Sequence, residues 1–272
     1  MKYKCLSIAG FDGSGGAGIQ ADIKTFSALG CYGMTVLTAL PVQNTCGVRN
    51  CYDIPIEAIQ EQLNAIFEDI IPNSIKIGML FSAPIIELVT NFLKRYAVGI
   101  PIVLDPVMVA KSGDALLLPE AVNSLRNNLI PLATIITPNL PEAHELVGNF
   151  SDIQKLGMKL LELGPKSVLL KGGHTNGENS NDLFLDKNGH IELLEAKRID
   201  SNNTHGTGCT LSAAICSFLA QGLEIFDACK YAKRYLSGAM LASSNDSVGK
   251  GHGPVNHFYH IWPTLDKIIN RI

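Results

Sequence analysis

Short apolar runs alternate with amphipathic segments along most of the chain. Six runs are apolar at almost every position, as strands are when both faces of their sheet are covered. They are residues 5–9, 34–42, 75–80, 102–107, 133–137 and 168–171. The alternation predicts an α/β fold with a parallel or mostly parallel central sheet and helices on both faces. We expect a single domain over residues 1–272, since no stretch has the composition of a linker.

The segments between the predicted strands carry apolar residues at three-to-four spacing, which is the pattern of an amphipathic helix. The clearest sets are Ile19, Ile23, Phe26 and Leu29; Ile59, Leu63, Ile66 and Phe67; and Ile85, Leu88, Val89, Phe92 and Leu93. Residues 182–186 and 191–196, joined by a polar turn, predict a β-hairpin added to the sheet. From Thr207 onward we expect mainly helix.

Composition narrows the class of protein. Hydrophobic residues make up 46% of the chain and charged residues 17%, so a substantial core is available. The formal net charge of −3 and the lack of a basic run argue against a nucleic-acid partner or an anionic membrane surface. No apolar run is long enough to span a membrane. Seven cysteines without a Cys-x-x-Cys pair indicate neither a disulfide framework nor a zinc ribbon. We therefore expect a reduced, cytoplasmic protein.

Polar and glycine residues follow the ends of all six predicted strands. Because parallel sheets bind ligands beyond the carboxyl ends of their strands, these residues are expected to meet at one edge. They are residues 10–18, Gln43 with Asn44, Gly78 with Met79, Asp105, residues 139–142 and residues 171–174. The predicted architecture and the predicted site thus support each other.

The segment 203–210, Asn-Thr-His-Gly-Thr-Gly-Cys-Thr, precedes a helical pattern that begins at Leu211. Gly206 and Gly208 allow a close approach of backbone to ligand, and a helix N-terminus directs free N–H groups at an anion. We interpret this segment as a phosphate-transfer centre. The same field would lower the pKa of the Cys209 thiol.

Cys209 leaves three interpretations open. It could be a small core residue, a covalent nucleophile or a proton acceptor beside the transferred phosphoryl group. A nucleophile needs an adjacent base, and the Gly-Thr-Gly that separates Cys209 from His205 does not place the two on one helical face.

The loop 10–18 has five glycines in nine residues, more than a tight turn requires. It fits the Gly-x-Gly-x-x-Gly dinucleotide pattern only formally. The next strand ends in Gln43 instead of the acidic residue which that motif expects. A loop that closes on a small polar substrate is therefore favoured over a nicotinamide site.

Two carboxylates at strand ends, Asp105 and Glu142, are suited to Mg²⁺, which prefers oxygen ligands and keeps some of its water. Asn139 could add a neutral oxygen, and Lys171 could neutralise phosphate charge during transfer. The structural alternatives are a turn cap at Asp105, a helix-dipole partner at Glu142 and a solvated lysine at Lys171.

Seven ordered motifs resemble the hydroxymethylpyrimidine/phosphomethylpyrimidine kinases of thiamine biosynthesis. They are Gly-x-Asp-x-Ser-Gly-Gly-Ala-Gly-Ile-Gln-Ala-Asp at 10–22, Val-Gln-Asn-Thr at 42–45, Lys-Ile-Gly-Met at 76–79, Leu-Asp-Pro-Val-Met-Val-Ala-Lys-Ser-Gly at 104–113, Thr-Pro-Asn-Leu-Pro-Glu-Ala at 137–143, Lys-Gly-Gly-His at 171–174, and Asn-Thr-His-Gly-Thr-Gly-Cys at 203–209. The resemblance continues to Gly-His-Gly-Pro-Val at 251–255 and so covers essentially the whole chain.

This resemblance implies a ribokinase-like fold and the use of ATP with Mg²⁺. The implied reaction is phosphorylation of 4-amino-5-hydroxymethyl-2-methylpyrimidine and then of its monophosphate, by a homodimer. The residues it implies for substrate binding are Gly10, Ala17, Asp22, Gln43, Met79 and Val107. Those it implies for transfer are Cys209 beside the substrate hydroxyl, Gly206, Thr207 and Gly208 as the anion hole, and Lys171 at the ATP phosphates. Asp105, Asn139 and Glu142 are the metal candidates.

The amide of Gln43 offers a donor and an acceptor, which suits an amino group beside a ring nitrogen. The nearest rival is a pyridoxal or pyridoxine kinase of the same fold, whose substrate presents a phenolic oxygen and an aldehyde instead. A non-catalytic pyrimidine-binding protein and a cysteine-dependent hydrolase are alternatives of other classes. One departure from the family is Phe11-Asp12-Gly13, where its members often have Thr-Asp-Pro; glycine makes that loop more flexible than proline would.

Overall fold

The computed structural model describes residues 2–108, 117–118, 120–173 and 177–264. Positions 109–113 of one motif and His174 of another therefore lie outside the described residues. The strands are β1 Lys4–Ala9, β2 Tyr32–Leu37, β3 Ala39–Asn44, β4 Gly47–Asp53, β5 Ser74–Ile77, β6 Ile102–Leu104, β7 Ile135–Ile136, β8 Ser167–Leu170, β9 Asp182–Asp186 and β10 Ile191–Leu194.

An eight-stranded sheet runs through the described part of the chain in the order β10-β9-β8-β7-β6-β5-β1-β2. The strands from β8 to β2 are parallel; for example, Ile8 lies opposite Val36 on one side and Ile77 on the other. β9 pairs antiparallel with both of its neighbours, β10 and β8. The predicted mostly parallel sheet with an added hairpin is confirmed.

Helices cover both faces of this sheet, as the apolar spacing predicts. They are α1 Gly18–Ala28, α2 Ile56–Asp69, α3 Ala83–Tyr96, α4 Ala121–Ser124 (continued by short π and 3-10 turns to Leu132), α5 Leu140–Val147, α6 Ile153–Glu162, α7 Thr207–Ala220 and α8 Ile225–Ser243. One core joins α2, α3, α5 and α6 to the sheet, and a second core joins α1, α7 and α8 to its other face. Within the described residues, no helix combines the length and the apolar character needed to cross a membrane.

The run 34–42, predicted as one strand, is divided between two sheets. β2 belongs to the main sheet, whereas β3 leaves it and pairs antiparallel with β4 as a separate ribbon. The division falls at buried Thr38, whose N–H donates to the carbonyl of Ala9 and whose hydroxyl donates to the carbonyl of Met79. Strand β4 was not predicted, because its polar, exposed residues lack the pattern of a covered strand. Gln43 therefore lies within a ribbon, not at the end of a sheet strand.

Candidate active site

A cavity of about 1030 Å³ opens beyond the carboxyl ends of the parallel strands. Thirteen of the candidate residues line it: Gly10, Ala17, Gln43, Met79, Asp105, Val107, Asn139, Glu142, Lys171, Gly206, Thr207, Gly208 and Cys209. These residues come from the loop after β1, the ribbon, the ends of β5 to β8 and the start of α7. The topology therefore brings almost all of the predicted site together, where an α/β sheet places its ligands.

The start of helix α7 forms one wall of the cavity. The helix begins at Thr207, four residues earlier than the sequence pattern indicated, after Gly206 in a left-handed conformation with φ of 75°. A side chain at Gly206 would collide with the carbonyl of Gly16, so only glycine fits. The Thr207 N–H donates to the carbonyl of Thr204 at a long 3.4 Å. The first N–H groups of a helix have no partners within the helix, which makes this end an anion site. A Cβ on Gly208 would lie 3.2 Å from Oδ2 of Asp105 and 3.5 Å from Nζ of Lys171.

Cys209 lies in this first turn, but the expected lowering of its thiol pKa is wrong. Burial raises the pKa of Cys209 to about 11, and the nearby charges of Asp22 and Asp105 add to this effect. Lys76 and the backbone of Gly18 act in the opposite direction without cancelling it. The thiol is consequently protonated at neutral pH.

Lys171, directly after β8, connects two carboxylates across the cavity. Its Nζ lies 2.8 Å from Oδ1 of Asp105 and 3.8 Å from Oε2 of Glu142. Asp105 also accepts a hydrogen bond from the hydroxyl of Thr137 at 3.1 Å. Burial opposes the charge on Lys171, but Asp105 and Glu142 together raise its pKa above the ordinary value. A cation is thus kept inside the cavity, close to the start of α7.

Asn139 and Glu142 form a capping box at the start of α5. Oδ1 of Asn139 accepts a hydrogen bond from the Glu142 N–H at 2.9 Å, and Oε2 of Glu142 accepts one from the Asn139 N–H at 2.8 Å. Burial raises the pKa of Glu142 to about 7, and Asp105 contributes to the rise. The structural alternative for Glu142, a place in the first turn of a helix, therefore applies: Glu142 lies at the third helical position and Asn139 caps the helix.

These residues can be tested as a magnesium site. In the described ranges, no three His, Cys, Asp or Glu side chains are arranged to hold a metal ion between them. Asp105 and Glu142 nevertheless provide carboxylate oxygens that face one cavity. Mg²⁺ in nucleotide-dependent enzymes uses one or two carboxylates and completes its shell with water and phosphate oxygens. The donor set fits that mode of binding.

One end of the cavity lies between the loop 10–18 and the ribbon formed by β3 and β4. A β-bulge between Val42 and Gln43 reorients the strand there. Nε2 of Gln43 donates to the carbonyl of Phe11 at 3.4 Å. Its amide oxygen can then accept from a ligand. Gly10 is in tight contact with Met79, since a Cβ on Gly10 would lie 3.0 Å from Sδ of Met79.

Asp22 does not belong to the cavity wall, which corrects its expected place in the substrate pocket. It is completely buried, and its Oδ2 pairs with Nζ of Lys76 at 2.8 Å and accepts from the hydroxyl of Ser7. Lys76, which does line the cavity, was missed as a site residue. The available signal was Lys76 itself, the one charged residue in the run 75–80 that predicts a covered strand.

His205 and Asp12 were also missed as partners. Nε2 of His205 lies 2.8 Å from Oδ2 of Asp12 and so joins the two glycine-rich segments. From the sequence, His205 is a candidate only for the base of a nucleophilic Cys209, and its contact with Asp12 is not predicted. A glycine-rich loop with one internal carboxylate was the signal that could have identified Asp12 as the centre of that loop.

Comparison with known proteins agrees with this geometry. A family model described as phosphomethylpyrimidine kinase matches residues 12–256. The chain belongs to this family. The hydroxymethylpyrimidine/phosphomethylpyrimidine kinase of Rhizobium meliloti (strain 1021) is 45% identical over 267 residues, which cover 96% of this chain and 99% of that protein.

Two solved structures show the same fold. The phosphomethylpyrimidine kinase of Clostridium difficile 630 matches with a TM-score of 0.77 and 48% identity, over 88% of this chain and all of that chain. An ADP complex of Bacillus subtilis pyridoxal kinase matches with a TM-score of 0.86 and 38% identity, over 94% of this chain and 98% of that chain. The fold is thus ribokinase-like, and family membership makes the chain a kinase. This favours phosphoryl transfer over the nicotinamide, hydrolase and non-catalytic alternatives.

Proposed function

We propose that the chain transfers the γ-phosphoryl group of ATP to the hydroxymethyl group of 4-amino-5-hydroxymethyl-2-methylpyrimidine. It then phosphorylates the resulting monophosphate to the diphosphate, for thiamine biosynthesis. The observation that carries this proposal is the meeting of the α7 N-terminus with the Lys171–Asp105–Glu142 cluster in one cavity. In a member of the phosphomethylpyrimidine kinase family, that arrangement suits transfer to a small heteroaromatic alcohol.

The pyrimidine binds between the loop 10–18 and the ribbon. The amide oxygen of Gln43 accepts from the exocyclic amino group, because the amide nitrogen already donates to Phe11. The backbone at Gly10 and Ala17 and the side chains of Met79 and Val107 enclose the ring. Asp22 supports this pocket from behind, through Lys76.

The transferred group meets the start of α7. The substrate hydroxyl oxygen attacks the γ-phosphorus, and the bond from that phosphorus to the ADP oxygen breaks. N–H groups of Gly206, Thr207 and Gly208 stabilise the negative charge that develops on the phosphoryl oxygens. Because the Cys209 thiol is protonated at neutral pH, Cys209 orients the hydroxyl by hydrogen bonding. In a loose transfer the hydroxyl loses its proton late and can pass it to an oxygen of the transferred phosphoryl group or to water, so a strong base matters little.

The nucleotide and its metal use the charged cluster. Lys171 lies where it can bind the ATP phosphates. Asp105 and Glu142 would hold Mg²⁺ directly or through water, and the side chain of Asn139 accepts from the Glu142 N–H and so holds Glu142 in place. When bound, Mg²⁺ neutralises charge on the phosphate oxygens.

The test is phosphate transfer from MgATP to the hydroxymethylpyrimidine, with the mono- and diphosphate resolved by chromatography. Pyridoxal is assayed in parallel. We expect both pyrimidine products to appear in sequence, with pyridoxal a poor acceptor. If pyridoxal is clearly preferred, the substrate assignment is wrong while the fold and the phosphate centre stand.

A second activity, on pyridoxal or pyridoxine, is favoured by the likeness to Bacillus subtilis pyridoxal kinase. These substrates share the hydroxymethyl-heteroaromatic geometry, and only the ring edge facing Gln43 differs. Turnover of either with saturating MgATP is the expected result. Its absence removes the second activity but not the first.

The homodimer and the cytoplasmic location stay predictions from the family resemblance. A mass near twice 29.3 kDa by light scattering is the expected result for the dimer. A mass near 29.3 kDa at working concentration contradicts it.

A further inference from the structure

Asp12 is the hydrogen-bonding centre of the loop 10–18. This buried carboxylate accepts from the N–H of Ser14 at 3.0 Å and its hydroxyl at 2.7 Å, from the Gly16 N–H at 3.0 Å and from the Ala17 N–H at 2.7 Å. Burial opposes its charge, but the hydrogen bonds, led by that of His205, lower its pKa below the ordinary value. The loop is therefore folded around an ionised carboxylate.

The bond from His205 comes from outside this loop. Its Nε2 lies 2.8 Å from Oδ2 of Asp12, and a nitrogen facing an ionised carboxylate must carry the proton. His205 is itself held from behind, since its N–H donates to the carbonyl of Gly253 and it forms a parallel bridge with Pro254. These backbone contacts fix the position of His205, and its ring fixes the loop 10–18 through the hydrogen bond to Asp12.

The loop 10–18 and the segment 205–206 are packed closely against each other around this contact. A Cβ on Gly16 would collide with the His205 ring, and a Cβ on Gly206 would collide with the carbonyl of Gly16. The residue after His205 is the left-handed glycine from which α7 starts. The Asp12–His205 contact therefore lies directly between the acceptor pocket and the anion-binding helix end.

We propose that Asp12 and His205 are positioning residues for phosphoryl transfer. Together they hold the loop 10–18 at a fixed distance from residues 206–209, so that a ring bound by the loop presents its oxygen to the helix end. This inference rests on the proposed function and assigns it two further residues. Neither touches the reacting atoms; both act through the loop and the helix that they join.

The two acceptors should depend on this contact to different degrees. The hydroxymethyl group is neutral, so only the placement of the ring brings its oxygen to the helix N-terminus. The monophosphate carries negative charge, which the helix end attracts, and several equivalent oxygens that can attack. Loss of the contact should therefore impair the first phosphorylation far more than the second.

The experiment compares His205→Gln with His205→Asn. The side-chain nitrogen of glutamine can occupy the position of Nε2, whereas that of asparagine reaches only the position of Nδ1 and cannot bond Asp12. A matched control is His190→Asn, because His190 makes a similar 3.0 Å contact with Glu192 on the exposed hairpin. Each variant is assayed separately with the hydroxymethylpyrimidine and with its monophosphate, and ring binding is measured by calorimetry without nucleotide.

For His205→Asn we expect kcat/KM to fall by about 10- to 100-fold with the alcohol, since small misplacements of reacting atoms have effects of this size. The monophosphate should lose no more than about threefold, and the Kd of the alcohol should change by less than about threefold. His205→Gln and His190→Asn should stay within about threefold of wild type on both acceptors.

Equal losses on both acceptors, or equal behaviour of His205→Gln and His205→Asn, would overturn the positioning role. If His205→Asn does not fold, Asp12→Asn tests the same contact through its other partner. The positioning role then requires that Asp12→Asn lowers kcat/KM more for the alcohol than for the monophosphate. A wild-type protein that phosphorylates neither acceptor overturns the proposed function itself. A wild type active on both, with His205→Asn unimpaired, overturns only this inference.

Discussion

Two lysines that line the cavity are each paired with an aspartate at an N–O distance of 2.8 Å. We call Lys76 with Asp22, which is buried behind the cavity wall, the floor pair, and Lys171 with Asp105 the mouth pair. At the floor, the side chains of Lys76 and Asp22 are both 0% exposed. At the mouth, Lys171 is 14% exposed and Asp105 is 2% exposed. Equal geometry thus occurs in two different surroundings.

Because their surroundings differ, the two pairs are expected to have different roles. Asp22 is enclosed, and its Oδ1 has no hydrogen-bond partner in the described residues, so its charge depends on Lys76. Lys171 faces the cavity and has a second carboxylate, Glu142, at 3.8 Å. It can therefore turn toward incoming phosphates while the carboxylates gain water or metal. The floor pair should matter chiefly for folding, and the mouth pair chiefly for catalysis.

The largest expected effect is that of Lys76→Met on stability. The substitution leaves a completely buried carboxylate without its cation, and breaking a buried pair in this way costs about 3–5 kcal/mol. Urea denaturation measures the loss in the free energy of unfolding. The double variant Lys76→Met with Asp22→Asn should recover more than half of it, because no unpaired charge then remains. A single variant as stable as wild type would contradict the anchoring role of the floor pair.

Lys171→Met should show the opposite balance. Removal of a cation placed at the developing charge lowers kcat by about 10²- to 10³-fold. The loss of unfolding free energy should be less than half of that for Lys76→Met, since water in the cavity can hydrate Asp105 and Glu142. Steady-state kinetics and urea denaturation on the same preparation test both parts. A large loss of stability with near-normal kcat would mean that the mouth pair is structural after all.

The sequence predicted the mouth far better than the floor, for a physical reason. Asp105, Glu142 and Lys171 follow strand ends, and in a parallel sheet all strand ends meet at one edge. The pairing of Asp22 with Lys76 joins a helix face to the middle of a strand, which no local pattern reveals. The six parallel strands of the sheet and the helices α1, α2 and α3 were likewise predicted from local periodicity. Strand β4 was not, because an exposed ribbon has no buried face to mark it.

The pH dependence of stability gives a further test of the difference between the floor pair and the mouth pair, because Glu142 beside the mouth pair titrates near neutral pH. Burial raises the pKa of Glu142 from 4.5 to about 7, so the folded protein holds this proton more tightly than the unfolded chain does. Its contribution to the free energy of unfolding therefore falls as pH rises from about 4.5 to 7, by up to about 3 kcal/mol.

Glu142→Gln isolates this contribution. Glutamine keeps the capping box but carries no charge, so the variant should gain stability relative to wild type as the pH rises through that window. Urea denaturation in metal-free buffer at several pH values from 4.5 to 8 measures the difference. Parallel curves for the two proteins would show that the Glu142 carboxyl titrates alike in the folded and unfolded chain.

The smallest effect is expected at a third pair with the same 2.8 Å distance, Lys159 with Glu162 on α6. These side chains are 47% and 62% exposed, so water screens them and the pair adds little. Lys159→Ala should change the free energy of unfolding by less than about 0.5 kcal/mol, with kcat unchanged. If it costs as much as Lys76→Met, the N–O distance and not burial governs the strength of these pairs. The distinction between floor and mouth would then have no physical basis.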